Sequence, residues 1–317
     1  MPAVSLTPQG PFSLAASTRF LEGFTPASYD DAPDGVLRLA FPTDDGRSVI
    51  GCALRQKETA DGAAAAGTVH AEYTLHTDGE ATEPGTGTAA AKAARAQIAR
   101  ILSLDVDATD FPTLGDSDPV VAGLQAEFAG LRPVLFYSPY EAAAWTIIGN
   151  RIRMTQAAHI KARLAEQHGQ ALDVAGRQLH AFPTPGELRR IGSIPGLTDI
   201  KVERLHALAD AALDGRLDAA RLREQPAEFA LTDLRELPGI GPFSAELILI
   251  RGAGHPDVFP AAEPRVHKAM AAAYGLDPIA AADTARLARI ADGWRPYRSW
   301  IALLLRAHAQ DQPVPQG

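Results

Sequence analysis

At 317 residues, 46% of them apolar, and with a net charge of −8, the chain is long enough for two domains with full cores and too acidic to be a nonspecific nucleic-acid coat protein. Its single cysteine, Cys52, excludes an internal disulfide and any cluster ligated by several cysteines, including an iron-sulfur cluster. Asp, Arg and Gly interrupt every apolar stretch and no basic segment leads into an apolar run, so no membrane partner and a cytoplasmic address are expected.

The first hundred residues alternate in strand fashion. Residues 36–41, 48–54 and 68–75 are short apolar-alternating runs separated by turns such as Asp44-Asp45-Gly46, and residues 92–104 carry helical spacing through Ile98, Ile101 and Leu102. The Ala/Gly/Thr tracts 61–67 and 80–91 read as loops. An antiparallel sheet with one helix follows, an α+β domain over residues 1–112.

From residue 113 to 309 helices dominate, with a polar tail expected to fray over 310–317. Two helix starts are well marked: Ser138-Pro139-Tyr140-Glu141 and Thr184-Pro185-Gly186-Glu187 each place a hydroxyl cap, a proline at the first position and a glutamate three after the cap. The predicted helices run over 139–153, 155–168, 187–191, 198–214, 217–224, 284–291 and 301–308. The fold class is therefore mainly α with an N-terminal α+β domain.

Within this half, residues 231–270 organise the rest. Leu231, Leu234 and Leu237 stand at helical spacing, Pro242 opens a second helix, and between them lies Leu237-Pro238-Gly239-Ile240-Gly241. Gly239 and Gly241 carry no Cβ, so a hairpin over 237–242 can turn tightly and set its backbone amides, those of Gly239, Ile240 and Gly241, against an anion. A phosphate suits that site. Beyond the second helix come an apolar link, Asp257-Val258-Phe259-Pro260, and an acid, Glu263, at the mouth of another helical run.

Helix, L-P-G-I-G hairpin, helix, Gly/Pro loop and carboxylate in that order resemble the helix-hairpin-helix DNA glycosylase superfamily. The S-P-Y-E-A-A-A-W-T-I-I-G-N-R-I run at 138–152, F-P-T-P-G-E-L at 182–188, P-G-L-T-D-I-K-V-E-R-L at 195–205, D-V-F-P at 257–260 and W-R-P-Y-R-S-W at 294–300 extend the resemblance to most of the chain. The order is that of its bacterial 3-methyladenine DNA glycosylase II branch, with an all-helical glycosylase core behind an antiparallel-sheet domain.

The resemblance implies a base-excision-repair enzyme, a monomer acting on double-stranded DNA that contains damaged bases. Such an enzyme flips the damaged nucleotide into a pocket, where a carboxylate stabilises the oxocarbenium-like transition state. Glu263 occupies the carboxylate position. Phe243 stands where bifunctional relatives carry a lysine nucleophile, which implies a monofunctional hydrolase leaving an abasic site. Asn150 and Arg151 fall at the minor-groove plug. Lys201 and Arg251 are candidate phosphate partners beside the hairpin, whose carbonyls hold a monovalent cation in relatives; no other cofactor or metal is implied.

The departures bear on activity. The family residue at position 263 is aspartate, and glutamate moves the carboxylate by about one C–C bond, a misplacement that can cost roughly a hundredfold in rate. The base pocket at Phe243, Leu247, Pro264 and Arg306 reads as less aromatic than that of enzymes for cationic 3-methyladenine, and Arg306 would repel such a base if it points inward. Alkylated purines are the default substrate. The alternative is a damage-recognising DNA-binding protein of the same fold with weak, altered or no catalysis. Trp145 is a further candidate for the base pocket. Simpler readings stand beside these: Phe243 between pocket wall and core, Trp145, Trp294 and Trp300 as core or interface packing, His255 and His267 as polar bystanders without metal spacing, Asp257 as a local cap or pair, and Arg298 as a brace against a carboxylate.

Overall fold

The computed structural model describes residues 2–27, 29, 34–57, 67–77, 79–82 and 87–311. Strand β1 (Ala3–Leu6) and helix α1 (Leu14–Gly23) come first, then β2 (Leu37–Pro42), β3 (Ser48–Gln56), β4 (Val69–Thr77), β5 (Glu80–Thr82) and helix α2 (Ala89–Ile101). The sheet is antiparallel in the order β1-β4-β3-β2, with β5 beside β1 on the outer edge of β4.

Strand alternation assigns the two faces of the sheet. Leu37, Leu39 and Phe41 of β2 and Ile50, Cys52 and Leu54 of β3 meet Leu21 of α1 and Ile98 of α2. The intervening Ala40, Val49 and Ala53 are covered by a small hairpin, β6 (Ala171–Val174) and β7 (Arg177–His180), through Leu172 and Val174. A Cβ on Gly51 would lie 3.0 Å from Val174 Cγ2, so that glycine permits the close approach. Both faces are thus buried, which is why these strands contain so few polar residues. Cys52 is sealed inside, and burial pushes its thiol up, so it is a core atom and no nucleophile.

The second half supplies helices α3 (Pro119–Glu127), α4 (Pro139–Gly149), α5 (Met154–His168), α6 (Pro185–Leu188), α7 (Asp199–Leu213), α8 (Ala219–Glu224), α9 (Ala227–Arg235) and α10 (Pro242–Leu247). A π-helical turn, Ile248–Gly252, extends α10; α11 (Pro264–Ala273), α12 (Pro278–Ala282), α13 (Thr284–Ala291) and α14 (Arg298–Asp311) follow. The two marked helix starts act as caps: Ser138 accepts from the Glu141 amide, and Thr184 and Glu187 close a full capping box. One apolar cluster joins α4, α5, α7 and α9 to the π-turn through Ile148, Leu164, Leu205, Leu234 and Leu249. A second joins α3, α11, α13 and α14 through Val121, Met270, Leu287, Trp300 and Leu304. The cleft of interest opens where the two face each other.

Two buried arginines tie these parts to the sheet. Arg132 donates to the carbonyls of Pro11, Ser103 and Val106 at 2.9, 3.0 and 3.0 Å, and to that of Gln9. Arg100, on α2, pairs with Asp44 at 2.7 Å and also donates to Tyr137 O and Gly252 O, so the sheet domain grips the end of the π-turn. Each guanidinium replaces lost water with fixed acceptors, as a buried charge must.

Several boundaries differ from the sequence expectation. The helix predicted over 139–153 stops at Gly149, because the chain turns sharply at Asn150 and Arg151. The hairpin β6–β7 interrupts what was expected to be all-helical; its turn puts Ala175 and Gly176 at φ 48° and 78°, the left-handed pair that two-residue hairpins require. The tract 80–91, expected as a loop, contains β5 and the first turn of α2, while 83–86 lie outside the described residues. Residues 61–66 of the other tract and 312–317 of the tail also lie outside them, whereas Gln310 and Asp311 end α14 as helix. No helix among the described residues is long and apolar enough to cross a membrane.

Candidate active site

A cavity of about 1460 Å³ lies between α1, the end of α3, α4, α10, the link 260–266 and α14. Glu263 stands in its wall as the N-cap of α11, with Pro264 at the first helical position. Its Oε1 accepts from the Arg265 amide at 3.1 Å and faces Arg306 Nη1 at 3.4 Å, and 18% of the Glu263 side chain and 23% of the Arg306 side chain remain exposed. The extra methylene of a glutamate is thereby folded back onto its own helix start. The carboxylate is held, partly open, and next to a cation.

The link that carries Glu263 is pinned from behind. Arg298 Nε and Nη2 bind the two carboxylate oxygens of Asp257 at 2.7 and 3.1 Å, and Arg295 adds a contact at 3.1 Å. Ser299 accepts from Val258 N at 3.0 Å and donates to Val258 O at 2.9 Å, while Val258 and Phe259 are buried. Glu246 Oε2 accepts from Ala262 N at 2.9 Å, one residue before the acid. Burial pushes the Glu246 carboxyl up, against the downward pull of that amide bond, with nearby Glu263 adding a smaller upward effect. Asp257 is thus a brace, and Arg298 its partner. His255 accepts from Asp257 N at 3.1 Å and His267 stacks on Phe259, so both serve the link. No cluster of metal-ligating residues occurs among the described residues.

The hairpin sits beside the same cleft. Gly239 takes φ 87°, which favours glycine, and a Cβ there would lie 2.7 Å from Arg204 Cδ. Gly241 caps α10 in extended conformation, and a Cβ there would meet nothing within 4 Å. The Gly239 and Gly241 amides have no acceptor among the described residues. Ile240 departs from the expected trio: its amide closes the turn onto Leu237 O at 3.0 Å and its side chain is core. The two glycines alone present their N–H groups.

The two candidate phosphate cations separate. Lys201, on α7, donates to Ile148 O at 2.9 Å and Asn150 O at 2.7 Å, so it latches the end of α4; burial, with neighbouring Arg204, lowers its pKa. Arg251 does not reach the hairpin's outer face, contrary to the expectation from sequence. Its side chain points into the cavity wall, donates to Val134 O at 2.7 Å and lies over the rings of Phe24 and Phe20 at 4.8 and 5.4 Å. Burial, aided by the charge of Arg306, pushes its pKa down to about 9. The cation packed against Gly239 is Arg204, one turn along α7 from Lys201, a helical i+3 neighbour that sequence spacing could have flagged.

Asn150 and Arg151 form an exposed tip between α4 and α5, with Arg151 at φ 56°. A non-glycine residue in that region is strained and persists only where its surroundings hold it. Here Lys201 does the holding, through Asn150 O.

Phe243, Leu247, Pro264, Arg306 and Trp145 all line the cavity, and Phe243 is 41% exposed at its mouth. The expectation of a pocket poor in aromatics is corrected by four further rings: Phe20, Phe24, Phe128 and Phe136. Phe20 and Phe24 stack at 5.6 Å, and Phe136 meets Phe24 edge-on at 5.5 Å. They come from α1, the end of α3 and the segment before α4, far in sequence from the hairpin, so only tertiary packing assembles this wall. Trp294 and Trp300 are buried in the second cluster.

No protein-family model matches the chain. A DNA-3-methyladenine glycosylase of Bacillus subtilis is 28% identical over 162 residues, 50% of this chain and 53% of that protein. A DNA-3-methyladenine glycosylase 2 of Escherichia coli is 29% identical over 184 residues, 57% of this chain and 61% of that protein. The chain spans about half the length of the curated relatives it matches. Among solved structures, a 3-methyladenine DNA glycosylase from Archaeoglobus fulgidus shares the fold, with a TM-score of 0.73 over 98% of both chains at 22% identity.

Proposed function

We propose that this chain, which belongs to the 3-methyladenine branch of the helix-hairpin-helix DNA glycosylase superfamily, is a base-excision-repair glycosylase that hydrolyses the N-glycosidic bond of a damaged base in duplex DNA. The observation that carries this reading is Glu263, pinned from behind and left partly open in the wall of a cavity large enough for a nucleotide. The relatives' names bring alkylated purines as the first class to assay.

In this reading a backbone phosphate of the lesion strand rests on the free amides of Gly239 and Gly241, with Arg204 beside it. The exposed Arg151 enters the gap left by the flipped nucleotide, and Asn150 borders the cavity that receives it. As the C1′–N bond breaks, positive charge develops on the sugar and Glu263 stabilises it; water then adds its oxygen to C1′. The leaving base takes the bonding electrons and the product is an abasic site.

Two finer points belong to the proposal. Position 243 is phenylalanine and no lysine lines the cavity among the described residues, which supports hydrolysis without a lyase step. The carbonyls of Leu237 and Gly241 each accept one bond and keep a second lone pair, so the hairpin suits a monovalent cation, whose charge when bound would favour the phosphate.

The test is abasic-site formation on lesion-bearing duplexes by wild type and Glu263→Gln. The variant is expected to lose about a hundredfold or more in single-turnover rate while retaining duplex affinity. Full activity in Glu263→Gln would overturn the assignment of the acid. Binding without cleavage of any lesion by wild type would instead establish the binding-protein alternative.

A further inference from the structure

We propose that the pocket takes neutral damaged purines bearing a lone-pair acceptor on the ring edge, such as a deaminated or etheno-bridged purine, in preference to cationic N-methylpurines, and that Arg306 is the donor that stabilises the departing base. This rests on the glycosylase reading above. Three observations support it.

First, two of the aromatic faces that would attract a cationic base, those of Phe20 and Phe24, are already engaged. The Phe20–Phe24 stack is covered by the guanidinium of Arg251 at 5.4 and 4.8 Å, so its attraction for a positive ring is met from within the protein. Second, Arg306 points inward and lies 3.4 Å from Glu263 Oε1. It shares the wall with Arg251 and Arg265: burial, aided by the charge of Arg306, lowers the pKa of Arg251, and burial lowers that of Arg306, with Glu263 pulling it up and Arg265 pushing it further down. Of the three acids of this wall among the described residues, only Glu263 lies against Arg306; Glu127 pairs with His308 at 2.7 Å, and Glu246 is bonded to Ala262 N and pushed by burial toward its neutral form. A cationic base would enter a cavity lined by four guanidinium groups, those of Arg19, Arg251, Arg265 and Arg306.

The third observation is chemical fit. A purine methylated at N3 or N7 is positively charged before cleavage and departs as a neutral molecule, so it needs no donor. A neutral purine departs as an anion: the C1′–N9 bond breaks, both electrons go to the base, and negative charge spreads to its ring nitrogens and any exocyclic oxygen. Water supplies the oxygen that bonds to C1′; one of its protons passes to the Glu263 carboxylate, and the base anion takes up a proton from solvent. A guanidinium beside the carboxylate, with five N–H donors, stabilises that departing charge where it develops. When the base arrives, Arg306 turns N–H groups from its ion pair with Glu263 toward hydrogen bonds with the ring edge. The two charged groups then serve opposite ends of one breaking bond.

The experiment compares single-turnover release of hypoxanthine and 1,N6-ethenoadenine with that of 7-methylguanine from otherwise identical duplexes, using wild type, Arg306→Ala and Arg306→Lys. Circular dichroism and affinity for a duplex containing an abasic-site analogue check folding. Wild type is expected to favour at least one neutral lesion by about tenfold or more, and Arg306→Ala to lower that ratio by about a hundredfold, slowing neutral release and speeding cationic release. Arg306→Lys, which keeps the charge without the fork, should fall between. Preference of wild type for 7-methylguanine would overturn this inference and leave the glycosylase reading standing. Equal losses on both classes in Arg306→Ala would overturn it too, reducing Arg306 to a support for Glu263. Release of no base from any duplex would overturn the glycosylase reading and this inference with it.

Discussion

The two sides of the cleft use opposite means. On the hairpin side the groups offered are backbone amides, at Gly239 and Gly241, with no partner among the described residues. On the other side they are charged side chains, and each is already held by another: Glu263 by Arg306 and the Arg265 amide, Asp257 by Arg298, Glu246 by Ala262. Backbone amides read phosphate and no base, so the hairpin side can bind every duplex alike. The partnered side chains have positions that depend on one another, which gives that side its capacity to choose and also its fragility.

The largest effect expected from separating the sides comes from the brace. Arg298→Ala leaves Asp257 with only the half-exposed Arg295 as a side-chain partner and lets the link to Glu263 shift; an ångström of displacement would lower single-turnover cleavage by about a hundredfold. Because the pair is mostly buried, unfolding free energy should also fall by about 2 kcal/mol, read from denaturant melts. Duplex affinity, which belongs to the other side, should change little. Comparable loss in both measurements would mean the sides are not separable.

Gly241→Val is the converse. It should weaken binding to all duplexes by about tenfold, roughly one charge-assisted hydrogen bond, with no loss of stability beyond a few tenths of a kcal/mol. A loss confined to lesion-bearing DNA, seen by fluorescence anisotropy, would contradict the division. Arg151→Ala should cost less, about threefold in affinity for lesion duplexes, since one exposed side chain is removed from an intact tip.

The smallest effect is a change of slope. The Glu246 carboxyl is raised above its ordinary 4.5, so the folded chain keeps a proton there that the unfolded chain has released. Its contribution to stability is fully present below pH 4.5 and is lost as pH rises through the higher folded value. Glu246→Gln should therefore flatten the decline in melting temperature over that window. An unchanged profile would show that Glu246 is ionised throughout.

Much of the fold was legible because it rests on local rules. Strand alternation marked β2, β3 and β4 to within two residues, and the caps at Ser138 and Thr184 marked their helices. The L-P-G-I-G hairpin and Glu263 were visible as spacing. What escaped depends on partners distant in the chain. The strands β6 and β7 are four residues each, too short to show a period, and are stabilised by packing on β2 and β3. The Phe20–Phe24–Phe136 wall and its occupation by Arg251 arise only when α1 folds against the π-turn that follows α10. Arg251 was misplaced for the same reason: an arginine two turns past a hairpin reads as a surface cation until the ring faces beneath it are known.

Gly241 and Gly239 differ in what demands them. Gly239 is required from inside, by its left-handed backbone and by Arg204 pressed against it, so its replacement would disturb the fold. Gly241 has an ordinary backbone and open space where a side chain would stand, and a serine there would cap α10 at least as well. Nothing among the described residues asks for glycine at 241. In lineages that stop contacting DNA, position 241 should therefore drift freely while 239 stays fixed, which makes it a record of use written in a hairpin residue that folding does not constrain.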